Sequence, residues 1–86
     1  MMTKENLIEV MIYHAKNLTD TDTDITKDTI HKDVLNRDVG VTSLQAKRLY
    51  KGFIRYTLLI NDREDKPWPK SWFDKSLEDL ATKLLD

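Results

Sequence analysis

Apolar residues recur at helical spacing in three stretches of this chain. The first runs from Thr3 to about Leu18 and sets Leu7, Ile8, Met11, Ile12, Ala15 and Leu18 on one stripe, the pattern of a helix that buries one side. Thr3 is placed to cap it, and Glu5 falls in the first turn, where the helix dipole favours a carboxylate. The second stretch runs from Ser43 to about Leu59 or Ile60. Its stripe is Ala46, Leu49, Tyr50, Phe53, Ile54 and Leu58, with Leu44 at its entrance. Gly52 interrupts that run at a cost of roughly 1 kcal/mol against alanine, which predicts another element packed closely against it. The third stretch opens with Ser76 as a cap and Glu78 and Asp79 in the first turn. Leu77, Leu80, Ala81, Leu84 and Leu85 then form its apolar stripe.

The intervening segments read differently. Thr19-Asp20-Thr21-Asp22-Thr23-Asp24 ends the first helix, since Asp and Thr bond their own backbone in turns. Its alternating aspartates invite a calcium reading, but an EF-hand loop started at Asp20 has Ile25 where glycine is needed and His31 where glutamate is needed. Ile25, Ile30, Val34 and Leu35 are spaced among Lys27, Asp28, Lys32 and Asp33. This is a loop pinned to the core at intervals, with a short helical turn around Lys32 to Leu35. Asn61 to Lys70 is a charged turn closed by Pro67 and Pro69, which end the second long helix. Ser71-Trp72-Phe73 then begins a short helix whose aromatic pair plugs the core.

Composition narrows the class. A chain of 86 residues makes one domain, here taken as 1–86, and buries only roughly 60–65% of its unfolded surface. Two glycines, two prolines and no cysteine argue against a disulfide scaffold. No apolar run approaches the ~20 residues that span a bilayer, and Glu5 and Glu9 interrupt any secretory signal. A soluble, cytoplasmic protein is expected. The net charge of −1 favours neither nucleic acid nor an anionic membrane surface. His14 lies beside the first stripe without a second histidine or cysteine at a matching spacing, and no metal site is assigned.

The richest local chemistry lies at Asp38-Val39-Gly40-Val41-Thr42-Ser43-Leu44. Gly40 allows a sharp turn ahead of the second long helix. Thr42 and Gln45 have the spacing of a capping box, which makes Ser43 the first helical residue. Free N–H groups and the positive end of the helix dipole there would suit an anion formed on the Ser43 hydroxyl. The same residues also read simply as a helix cap.

D-V-G-V-T-S-L-Q-A-K-R-L resembles the signature of phosphopantetheine-bearing carrier proteins, in which a serine at the start of the second helix carries the prosthetic arm. Thr42 stands where that family often has aspartate, so that carboxylate's contribution to cofactor or metal positioning during modification is absent. Threonine before the serine, followed by S-L-x-A-x-R-L, is closer to the peptidyl carriers of non-ribosomal synthesis than to the carriers of fatty-acid synthesis, whose second helix is usually acidic. Here that helix is basic, with Lys47, Lys51 and Arg55 four residues apart and Arg48 beside them. S-L-E-D-L-A near the C-terminus also resembles the start of the family's last helix.

The resemblance implies an all-α fold, a small right-handed four-helix bundle of three main helices plus one short one. It implies phosphopantetheine, transferred from coenzyme A to Ser43 by a phosphopantetheinyl transferase, and a monomer that catalyses nothing itself. The cargo would belong to non-ribosomal peptide or polyketide synthesis, and acyl- or aminoacyl-loading and condensing enzymes would be the partners. Leu44, Lys47, Arg48 and Lys51 would contact them, Leu44 by apolar anchoring and the cations by charge. Within such a carrier Trp68 and Trp72 either pack the core or line an acyl-binding cavity, and His31 lies on the loop that could approach Ser43.

Two other classes stand beside this one. A helical interaction module would bind a protein or nucleic acid through the basic face of the second long helix, with Ser43 only a cap. An enzyme finds little support, since no phosphate-binding glycine loop or paired metal ligands are present.

Overall fold

The structure, a computed structural model, describes residues 2–19, 24–35 and 43–86, the Ser43 side chain excepted. Four α-helices are present among them: α1 (Lys4–Thr19), α2 (His31–Leu35), α3 (Ser43–Ile60) and α4 (Leu77–Leu85), with a 3-10 turn at Trp72–Asp74. The described residues contain no β-strand, only an isolated antiparallel bridge between Ile30 and Ser76. The fold is an all-helical bundle of three long helices and one short one.

Each long helix has a local reason to begin or end where it does. At the start of α1 the Thr3 hydroxyl accepts a hydrogen bond from the Asn6 N–H at 3.1 Å, and Asn6 Oδ1 accepts from the Thr3 N–H at 3.3 Å. That reciprocal pair satisfies two backbone donors, with asparagine in the place usually taken by Glu or Gln. At the end of α3 the Arg63 N–H bonds to Leu58 O and the Asp62 N–H to Leu59 O, with Asp62 at φ 59°. This is a Schellman stop in which aspartate takes the left-handed position that glycine usually fills. At α4 the Ser76 hydroxyl accepts from the Asp79 N–H at 3.1 Å.

The long first loop is anchored to that same helix start. The Leu77 N–H donates to Thr29 O, the Glu78 N–H to Lys27 O, and the His31 N–H to Lys75 O. The free N–H groups of a helix start, which otherwise need water or a ligand, are thus taken by the loop and Ser76. These bonds to α4 position the loop together with its apolar residues.

Helix α1 packs against α2, α3 and α4, and α2 also meets α3 and the 3-10 turn. The core between them holds Leu7, Met11 and Ala15 from α1, Val34 and Leu35 from α2, Tyr50, Ile54 and Leu58 from α3, and Leu77, Leu80, Ala81 and Leu84 from α4. Ile25 is buried and Ile30 half-buried, so the loop is pinned as its spacing predicts. Ile12 and Leu18, expected on the α1 stripe, are only partly buried and pack against the margin of the core.

Helix α3 departs more clearly from the expected pattern. Ala46, Tyr50, Ile54 and Leu58 are buried, but Leu49 and Phe53 remain 43% and 40% exposed. Steps of four residues advance about 40° around a helix, so the buried row drifts slowly and leaves Leu49 and Phe53 on its flank. The neighbouring helices cover only one side. Gly52 is exposed, and a Cβ built on it meets nothing within 4 Å. The close packing predicted at this glycine is therefore not supplied by the described residues.

Candidate functional site

The backbone of α3 becomes helical at Ser43, as expected. The turn at Gly40, the pairing of Thr42 with Gln45, and the Ser43 hydroxyl itself lie outside the described residues, as does most of the Thr19–Asp24 loop. What can be placed is the surface that begins one residue later. Leu44 is 55% exposed, a large apolar side chain left bare in the first turn of an 18-residue helix. Arg48, one turn on, is also exposed.

Lys47 and Lys51 are half-buried, because each leans over an aromatic ring on the C-terminal side of the fold. The Lys47 ammonium lies 4.2 Å from the centre of the Phe73 ring, and that of Lys51 lies 5.6 Å from the Trp68 ring. Both are cation–π distances. Arg55, next in the row, donates from Nε to Asp65 Oδ1 at 2.9 Å and from Nη2 to Asp65 Oδ2 at 2.5 Å. This forked pairing holds the Asp65 carboxyl below and the Arg55 guanidinium above its ordinary range, mainly through the hydrogen bond itself. Of the four cations on this helix, Arg48 presents its charge most openly.

Apolar residues continue the surface. Leu49, Phe53, Tyr56 and Ile60 follow one another at spacings of four, three and four, and are 43, 40, 63 and 62% exposed. With about 100° per residue they form one stripe, running alongside Gly52 and beyond the buried row. His14 of α1 stacks on Phe53 with ring centres 4.7 Å apart, and partial burial lowers its pKa. Large apolar residues in continuous array on a surface are a mark of an interaction face.

Behind α3, His31 has a structural place. It is buried, its Nδ1 lies 2.7 Å from Lys75 O and its Nε2 2.9 Å from the Tyr50 hydroxyl. A carbonyl only accepts, so Nδ1 carries the proton and Nε2 accepts from Tyr50. Burial pushes the pKa of His31 down to about 4 against the smaller opposing effect of the Lys75 bond, and pushes that of Tyr50 up. Both ring nitrogens of His31 are thus engaged inside the fold.

Tyr50, Trp68 and Trp72 complete an aromatic cluster. Trp72 stacks parallel to Tyr50 at 6.0 Å and meets Trp68 edge-on at 4.9 Å. Both tryptophans are about nine-tenths buried, so packing the core is their principal role. The Trp68 Nε1–H is buried and has no acceptor among the described residues. Asp65, Lys66, Pro67 and Trp68 join Lys51 and Arg55 around a cleft of about 370 Å³, a grouping absent from the sequence reading. Periodicity could not expose it, because the two sides lie on a helix and on the irregular segment after it.

Comparison with family models, with characterised proteins and with solved structures gives no match to this chain.

Proposed function

We propose that this protein is a carrier whose Ser43 holds a phosphopantetheine arm, and that biosynthetic enzymes load and unload a thioester at the arm's end. The observation that carries the reading is the start of α3 at Ser43, with the bare Leu44 beside it. The order of elements supports it too: a long helix, a long loop with a short helix, a long helix opening on the serine, a short turn and a final helix. In the modification the Ser43 oxygen forms a P–O bond to the phosphoryl group of the pantetheine half of coenzyme A. The pyrophosphate bond breaks, adenosine 3′,5′-bisphosphate leaves, and the hydroxyl proton passes to the transferase. The carrier contributes position rather than catalysis, since a tethered intermediate reaches each partner at a high effective concentration.

Leu44, Lys47, Arg48 and Lys51 would meet the transferase and the later acyl- or aminoacyl-loading and condensing enzymes. The exposed stripe from Leu49 to Ile60 widens that surface. Partners with an apolar centre and an acidic margin fit it, because charge complementarity guides encounter while buried apolar contacts hold the complex. Incubation with coenzyme A and a broad-specificity phosphopantetheinyl transferase, followed by intact-mass measurement, tests the assignment. The expected gain is one phosphopantetheine, lost in Ser43→Ala. No gain, or a gain that survives the substitution, removes it.

The same exposed stripe favours a second reading, an unmodified helical module that binds a protein partner. Its apolar breadth suits a protein better than a nucleic acid, whose phosphates require a field of cations. Partner capture that persists in Ser43→Ala, without any mass gain in the wild type, would select this reading.

A further inference from the structure

The cleft beside the basic row of α3 shares only Lys51 with the surface proposed to meet carrier partners, and the rest of its lining has no part in that reading. Lys51 and Arg55 come from α3, and Asp65, Lys66, Pro67 and Trp68 from the segment after it. Three cations face one carboxylate, a local excess of two positive charges in a chain of net charge −1. Asp65 occupies the Arg55 fork. Lys51 and Lys66 are in no ion pair among the described residues, so the surplus charge is carried by two ammonium groups. A volume of about 370 Å³ lies within the range of roughly 300–1,000 Å³ typical of small-molecule sites. Pro67 and Trp68 add an apolar wall beside the cations.

We propose that this cleft binds a small organic phosphate monoester, with the phosphate on Lys51 and Lys66 and the organic group against Pro67 and Trp68. A dianion matches two ammonium charges, where a carboxylate would leave one unanswered. Phosphate oxygens also suit ammonium donors, which act as point charges and tolerate varied geometry. Arg55 is held in reserve by Asp65, so loss of the Asp65 charge would add a forked donor to the site. The start of α4 offers no competing site, since its backbone N–H groups are taken by Thr29 O, Lys27 O and the Ser76 hydroxyl.

The test is an amide NMR titration of the full chain with phenyl phosphate, inorganic phosphate and phenol. Phenyl phosphate is expected to shift the signals of Lys51, Lys66 and the Trp68 indole. Inorganic phosphate should move the same backbone signals with weaker affinity, and phenol should move none. Lys51→Gln with Lys66→Gln should weaken phenyl phosphate binding by about tenfold or more, while Asp65→Asn tightens it. These side chains face solvent in part, and an otherwise unchanged spectrum verifies that each variant folds. Phenyl phosphate that leaves the wild-type signals unmoved, that binds the double variant as tightly, or that is matched by phenol overturns the proposal. Ser43→Ala should titrate like the wild type, which separates this site from the fate of the carrier assignment.

Discussion

Acidification should destabilise this protein through His31. The imidazole is buried, gives its Nδ1 proton to Lys75 O and receives the Tyr50 hydroxyl at Nε2. Protonation at Nε2 would bury a positive charge with little access to water and would oblige the Tyr50 hydroxyl to accept where it now donates. The folded pKa lies near 4, against 6.5 when the ring is free. Because it is lowered, the stability it contributes is complete above pH 6.5 and is lost as pH falls toward 4. At 1.36 kcal/mol per pKa unit the full loss is about 3 kcal/mol. About half of this falls between pH 6.5 and 5, above the range in which ordinary carboxylates titrate. Urea unfolding followed by circular dichroism at pH 8, 6.5, 5.5 and 5 would measure it, with His31→Gln as the reference that cannot titrate. The lowered pKa of His14 acts in the same direction but is common to both proteins and cancels. An imidazole of His31 that titrates near 6.5 in the wild-type NMR spectrum, or an equal loss of stability in both proteins, would refute the reasoning.

Gly52→Ala should stabilise the isolated protein by about 0.5–1 kcal/mol, because the position is helical and a Cβ meets nothing there. Thermal or urea unfolding gives the sign, and a destabilisation would show that something outside the described residues packs on this glycine. If partners seat on the α3 stripe, Gly52→Leu should weaken their binding while leaving the fold intact, as a binding assay against the transferase of the proposed function would show. Ser76→Ala should cost about 1 kcal/mol, since it strips the cap from the Asp79 N–H. Urea unfolding checks that loss, and Ser76→Asp should recover most of it.

The helices were readable because each obeys a local rule. Thr3 and Ser76 mark helix starts through backbone chemistry that needs no knowledge of neighbours, whereas α3 is stopped by the turn at Asp62, well before the prolines expected to end it. The α1 and α4 stripes were readable because each of these helices presents its apolar face to one side of the core. On α3 the same rule overreached. It assigned Leu49 and Phe53 to the core because the helix carries more apolar residues than one buried face can use, and periodicity does not say how much of a helix its neighbours cover. The candidate attachment residue was legible by its place at a helix start. The cleft at Asp65–Trp68 was not, since its two walls meet only after the chain has turned back at Asp62.

Sequence alone thus determined an all-helical chain, the ends of its long helices, and a serine at the start of the second of them. These follow from propensity, capping and apolar spacing, all of which act over a few residues. Tertiary structure decided which apolar residues of α3 stay in water, what His31 bonds, and where the cations of α3 find their partners. Those depend on contacts between segments far apart in the chain: His31 to Lys75 and Tyr50, Lys47 to Phe73, Arg55 to Asp65. No local pattern encodes them, because each is set by the relative placement of whole elements around one small core.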